Sequence, residues 1–349
     1  MGALLGGCES PASARRAGPP IPVADAHSHY GLFAPSKIRQ GEDLAPRLRD
    51  AGVALLAWSV TSDGPWIGPV GPRFEQKSLP RKGEVEANFF GFARRARGWA
   101  ERAGLRFALA PSDVDRALAG GEPMLVLAAE AADFLEGSLA GLERAYALGL
   151  RHTQIVHFLR DNAVGNLQTA PPLHPGGLTA FGEALVRACN RQGILVDLAH
   201  CARDTFDRAL DVTAVAPIWS HSVIGETDEH FGQPGDLARR LNVSRARRLA
   251  ARGGAVGLWA LAGSTGYRVA AYADSLMHAV DLVGAEHVMI GSDTDGFGRN
   301  GRASIESPAD LRRVVDALLA RRVDERTVRA VCAGNYARCL RGAMARRAA

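Results

Sequence analysis

Lysine is nearly missing from this 349-residue chain. Only Lys37, Lys77 and Lys82 occur, so the 42 basic residues are almost all arginine. The arginines are spread through Ala/Arg/Leu segments such as Arg312 to Arg322, and aromatic residues make up only 6% of the chain. A nucleic-acid binder gathers its positive charge into a stripe and interleaves aromatics with it, so the scattered +5 charge argues against a nucleic-acid partner. Cysteine is scarce too. The five, Cys8, Cys189, Cys201, Cys332 and Cys339, are odd in number and include no C-x-x-C pair, which excludes a disulfide framework and a zinc finger. Cys201 follows His200 directly and would face the other side of a strand, as a packing residue rather than a ligand. No apolar run is long enough to cross a bilayer.

With 47% hydrophobic residues the chain can bury a large core, and one barrel of roughly 250 residues plus insertions would use most of it. No internal repeat or second composition regime divides it. Residues 21–349 are therefore expected to form a single catalytic domain behind a leader, 1–20. Within that leader, Leu4-Leu5-Gly6-Gly7-Cys8 resembles the tail of a bacterial lipoprotein signal, although its apolar part is short and no basic region precedes it. If a start lies upstream, Cys8 anchors a cell-envelope lipoprotein. As the sequence stands, the leader is a disordered extension of a cytoplasmic protein, and that is the reading taken.

The chemistry begins at Asp25-Ala26-His27-Ser28-His29, which closes the apolar run Ile21 to Ala24. Residues two apart on a strand share a face, so both imidazoles can aim at one point. Five later runs also hand over a ligand-type residue. Leu125 to Ala129 ends at Glu130, Thr153 to Val156 at His157, Ile194 to Ala199 at His200, Ala216 to Ser220 at His221, and Val288 to Ser292 at Asp293. Six such runs predict an α/β fold, a (β/α)₈ TIM barrel of the metal-dependent hydrolase type, with the metal centre on the face where the strands end.

Strands are expected near 21–27, 51–60, 106–111, 124–130, 152–157, 194–200, 216–221, 254–260 and 287–293, with helices such as Phe181 to Arg191 and Ser307 to Arg321 between them. This alternation implies a parallel sheet with right-handed crossovers. Nine candidates for eight places leave one in excess, and 106–111 is the weakest. The Gly- and Pro-rich segment from Ser62 to about Glu84 follows the second strand, where a lid or substrate wall would sit.

Several motifs carry a resemblance that spans about Val23 to Leu340. They are Asp25-Ala26-His27, the strand ending in Glu130, Gly177-Leu178-Thr179-Ala180-Phe181-Gly182, Val196-Asp197-Leu198-Ala199-His200, Ala216-Pro217-Ile218-Trp219-Ser220-His221-Ser222, Ile290-Gly291-Ser292-Asp293-Thr294-Asp295-Gly296 and Gly334-Asn335. In order and spacing together the chain resembles the membrane (renal) dipeptidase family, metallopeptidase M19, within the amidohydrolase superfamily. The resemblance implies two zinc ions bridged by Glu130, with His27 and His29 on the first and His200 and His221 on the second. Imidazole and carboxylate ligands suit Zn²⁺ independently.

The scarcity of lysine has a consequence here. Many binuclear amidohydrolases bridge their metals with a carboxylated lysine, but none of the three lysines lies on a run in the barrel's middle, so the bridge must be a carboxylate. One departure stands out: the family pattern has His-x-Asp where this chain has His27-x-His29. A neutral imidazole in place of a carboxylate would leave the first metal more Lewis acidic.

By the same resemblance, Asp293 shuttles a proton between water and the leaving amine, and His157 stabilises the oxyanion without binding metal. Arg240, in Arg239-Arg240-Leu241-Asn242, holds the substrate's terminal carboxylate, a task suited to guanidinium. The implied function is a zinc-dependent dipeptidase acting on small peptides with a free C-terminal carboxylate, tolerant of a D-residue there, with dimerisation implied by relatives. Two alternatives stay open: an amidohydrolase for another amide, lactam or ester, and a non-catalytic metal-binding relic of the fold. Retention of Asp293 argues against the second.

Overall fold

The computed structural model describes residues 20–33, 43–71, 73–226, 235–297 and 301–347. The leader up to residue 19, including Cys8, lies outside the described residues, as do Lys37 and His230.

Eight parallel strands follow one another around a nearly closed barrel: β1 (Val23–Ser28), β2 (Val53–Thr61), β3 (Met124–Glu130), β4 (Leu150–Gln154), β5 (Leu195–Asp197), β6 (Ile218–Ser222), β7 (Ala255–Leu258) and β8 (Val288–Ile290). The excess candidate near 106–111 shrinks to a two-residue strand, Arg106–Phe107, that pairs with the start of β3 outside the barrel order. Pro111 then opens a helix, Pro111–Leu118, so the rest of that run cannot extend as a strand. The helices expected between strands are present, among them Ala180–Gln192, where Thr179 Oγ1 accepts from the Gly182 N–H, and Pro308–Ala320.

Alternation along the strands divides the core into two clusters. Leu125, Leu127 and Ala129 pack outward with the helices, while Met124, Val126 and Ala128 join Ala26, Ala57, Leu195, Ile218, Ala255 and Met289 inside the barrel. The inner cluster includes Tyr336, Ala337, Leu340 and Met344 of the helix Asn335–Ala345, which therefore stops the end where the strands begin. Glu130 continues the inward series 124, 126, 128 at the opposite end.

The interior is narrow where β6, β7 and β8 meet. A Cβ on Gly257 or on Gly291 would fall on the carbonyl oxygen of Ser220, so only glycine fits at either place. The seam between β1 and β8 is closed at its upper end. His29 N–H donates to Thr294 O and Asp293 N–H to His27 O, each at 2.9 Å, and the buried Asp25 carboxylate accepts from the Ser292 N–H and hydroxyl. Burial raises Asp25 to about 6, against these hydrogen bonds.

The segment after β2 is more ordered than its composition implies. A short turn, Gly64–Trp66, leads into an antiparallel hairpin of Ile67–Val70 with Arg73–Gln76 before the helix Glu84–Arg102 begins.

Candidate metal centre

The strand ends place six ligand-type side chains in one buried cluster. Around Glu130, His27 Nε2 lies 3.3 Å from Oε1 and His29 Nε2 3.2 Å from Oε2. On the other flank His157 Nε2 is 3.2 Å, His200 Nε2 3.7 Å and His221 Nε2 4.0 Å from Oε1. The imidazoles also crowd one another, with 3.2 Å between the Nε2 atoms of His27 and His29 and 3.1 Å between those of His200 and His221. Asp293 Oδ1 faces the first pair at 3.3 Å from His29 and 3.8 Å from His27.

The opposite ring nitrogens are turned outward and held. His29 Nδ1 donates to Ser59 O at 2.8 Å, which leaves the Nε2 lone pair for the centre in the neutral ring. His221 Nδ1 pairs with Ser220 Oγ at 2.8 Å and His27 Nδ1 with Ser59 Oγ at 3.2 Å, while Thr61 Oγ1 donates to Glu130 Oε2 at 3.1 Å. Outer partners of this kind orient metal-binding imidazoles and carboxylates.

Electrostatics agrees with the geometry. Burial alone would raise the Glu130 carboxyl, and His157, His29 and His27 outweigh it, holding it well below the usual range. Burial, with Arg239 and the neighbouring histidines, pushes His200 and His221 well below theirs, so both are neutral with a lone pair to give. For His157, burial opposes the charge and the Asp63 and Glu130 carboxylates prevail, raising it to about 10. His29 is likewise raised to about 10, burial being outweighed by Glu130 and Asp293.

Two of the groups sit on backbone that non-glycine residues seldom adopt: His200 has φ +68° and Asp293 φ +55°. Hydrogen bonds to neighbouring backbone fix both, His200 O accepting from Gln168 N in the loop after β4 and Asp293 N donating to His27 O of β1. Such local strain is typical of positions that must aim a side chain. Asp295 turns instead to the Gly31 N–H, 3.1 Å away, so Asp293 alone of the pair reaches the histidines.

The donor set fits metal binding. His27, His29 and Glu130 form one group with convergent ligand atoms, and Glu130 is shared with a second group that holds His157 and His200. His221, adjoining His200, is the further candidate on that second flank. Imidazoles on each side of one carboxylate are donor types that suit Zn²⁺, and neither group contains a thiolate, as in an open catalytic site rather than a closed structural one.

Three features of the site were not read from the sequence. Arg239, rather than Arg240, brings its guanidinium to the cluster: Nη2 is 3.3 Å from His221 Nε2 and Nε donates to Gln168 Oε1 at 3.2 Å. Burial pushes it down to about 10, opposed by Asp293 and Glu130, so it stays charged at neutral pH. Arg240 is half-buried, and its carbonyl accepts from Gln168 Nε2. Arg239 closes the short helical turn Gly235–Arg239 and Arg240 leads into the two-residue strand Leu241–Asn242, elements too short for a sequence period to choose between the two arginines. Asp63, just past β2, accepts from His157 Nδ1 at 2.8 Å and from the Phe158 N–H at 3.1 Å. Asp133 is buried beside it with no hydrogen-bond partner on either oxygen among the described residues. The only signal for Asp63 was its place as the first carboxylate after the second strand.

The family profile for membrane dipeptidase (peptidase family M19) matches residues 37–349. The chain belongs to this family. Among curated members, a Schizosaccharomyces pombe protein described as an uncharacterized dipeptidase is 31% identical over 201 residues, 55% of this chain and 46% of the relative. Mus musculus dipeptidase 3 is 29% identical over 225 residues, 62% of this chain and 44% of that one. The chain thus spans about half the length of the curated relatives it matches. Among solved M19 structures, dipeptidase AC superposes with a TM-score of 0.76 at 22% identity, covering 93% of this chain and 99% of the other. A Rhodobacter sphaeroides metallopeptidase bound to a phosphinate mimic of L-Ala-D-Ala gives 0.75 at 22%, with the same coverage. At these identities the likeness establishes the barrel fold. Among the described residues no helix is long and apolar enough to cross a membrane.

Proposed function

We propose that this M19 protein is a zinc-dependent dipeptidase that cleaves small peptides with a free C-terminal carboxylate. The observation that carries this reading is the gathering of five imidazole Nε2 atoms around Glu130, flanked by one carboxylate, Asp293, and one buried guanidinium, Arg239. His27, His29 and Glu130 would hold one ion, and Glu130, His200 and His221 the other. Bound there, zinc supplies Lewis acidity, bringing the pKa of a water near neutrality and polarising the scissile carbonyl.

The chain's own groups supply the rest. Arg239, between His221 and the Trp259 ring, binds the terminal carboxylate and fixes the peptide's direction, taking the role first expected of Arg240. His157, kept protonated by Asp63, presents an Nε2–H donor to the oxygen on which charge develops as the carbonyl is attacked. Asp293 takes the proton of the attacking water and delivers it to the departing amine. Tolerance of a D-residue at the carboxylate end belongs to the same reading, supported by the L-Ala-D-Ala mimic bound to the Rhodobacter sphaeroides relative.

Zinc-loaded protein is expected to turn over members of an L-Xaa-L-Xaa and L-Xaa-D-Xaa dipeptide panel. Absence of turnover on every member defeats the reading. The imidazole of His29, where the family pattern has a carboxylate, favours one alternative, an amidohydrolase for another amide or lactam. Faster cleavage of N-acyl amino acids or lactams than of any dipeptide would select it.

A further inference from the structure

The hairpin after β2 leans on the site through aromatic rings. Phe158 follows His157 and contacts its ring at 4.5 Å between centroids, and the His200 ring at 5.2 Å. Phe74, opposite Pro69 in the hairpin, meets the far side of Phe158 at 5.2 Å, edge to face. It is nevertheless 48% exposed. A lone exposed apolar residue means little. This one continues a stack whose inner member touches two histidines of the centre.

The stack is braced. Gln76 Oε1, on the hairpin's second strand, accepts from the Arg160 N–H at 2.8 Å, and Asp63 Oδ2 accepts from the Phe158 N–H at 3.1 Å. Two side chains of the β2 loop thus hold the backbone of the β4 loop on either side of Leu159.

Direction follows from the charged end. The His200 ring contacts both the His157 and the His221 rings, with centroid spacings of 4.5 and 5.1 Å, and the Arg239 guanidinium meets His221 Nε2 at 3.3 Å. A peptide with its carboxylate on Arg239 and its scissile carbonyl over Glu130 places the residue N-terminal to the bond on the His157 side. That side is walled by Phe158 and Phe74.

We infer that Phe158 and Phe74 form a side-chain subsite for the N-terminal residue of the substrate, selecting large apolar or aromatic side chains. The inference rests on the dipeptidase reading and names its substrate class. The test uses the full zinc-loaded chain and calorimetric binding of phosphinate dipeptide mimics. One pair carries methyl or benzyl at the N-terminal position with a C-terminal alanine side chain, and a second pair reverses the placement. The benzyl analogue of the first pair is expected to bind about tenfold tighter than the methyl one. Phe74→Ala is expected to weaken the benzyl analogue several-fold more than the methyl one. Equal binding of methyl and benzyl, a benzyl preference confined to the C-terminal position, or equal weakening of both analogues by Phe74→Ala overturns the inference while leaving the dipeptidase reading intact. Failure of every analogue to bind overturns both.

Discussion

The ring of His157 is held between two carboxylates, Asp63 at 2.8 Å on Nδ1 and Glu130 at 3.2 Å on Nε2. Only Glu130 faces the metal ligands. Replacing Asp63 with Asn keeps the side-chain shape but removes the charge that favours the imidazolium. Turnover is expected to fall about 10- to 100-fold, the range typical of outer partners, with two zinc per chain retained. His157→Ala, which removes the oxyanion donor itself, is expected to cost roughly 100- to 1,000-fold in kcat. Steady-state kinetics with metal analysis on both variants checks the order.

Asp293 stands apart from the ligand set, so Asp293→Asn is expected to keep the metal and lose turnover by about 100-fold or more. A variant with unchanged kcat removes Asp293 from the mechanism.

Glu130 is the one side chain common to both groups of candidate ligands. Glu130→Gln is therefore expected to deplete both ions, whereas His221→Ala should deplete one. Metal content after dialysis distinguishes a shared bridge, with near-complete loss in Glu130→Gln, from two independent sites.

Asp133 offers a pH test of stability away from the ligands. Burial, then the Asp63 charge, raises its carboxyl well above the usual range, with His157 opposing. The folded protein keeps a proton that the unfolded chain releases above about pH 4. The associated stability is whole below that pH and is lost as pH climbs toward the raised value. Asp133→Asn has no proton to lose, so its Tm is expected to gain on the parent's as pH rises above about 4. A Tm difference that does not change with pH contradicts the assignment.

Gly257 and Gly291 test the pinch in the barrel. Alanine at either meets the Ser220 carbonyl, a backbone atom that cannot swing aside, and the expected outcome is a loss of several kcal/mol or failure to fold, about the cost of severe overpacking. Thermal melts and soluble yield read this directly.

Much of this architecture was legible because a barrel strand states its own orientation. The series Met124, Val126, Ala128, Glu130 shows by alternation alone which face Glu130 joins, and apolar runs ending in His or Asp located the other strand ends. What stayed hidden lies in loops. Asp63 acts on His157 across 94 positions of sequence, and no local period connects them. Arg239 and Arg240 differ only in how a short helical turn passes into a two-residue strand, which depends on contacts with Gln168 and Trp259 from elsewhere in the chain. The hairpin at Ile67–Val70 and Arg73–Gln76 was masked by its glycines and prolines, residues that mark turns without saying what they connect.

The helix Asn335–Ala345, which stops the lower end of the barrel, follows every barrel strand in sequence. The seam beside His27 and His29 is tied by Asp25 and Ser292, 267 residues apart, and Tyr336 enters the interior from later still. A nascent chain therefore displays these two imidazoles long before Asp293 exists to face them. A chain cut before residue 335 would present every proposed metal ligand on a barrel with no floor.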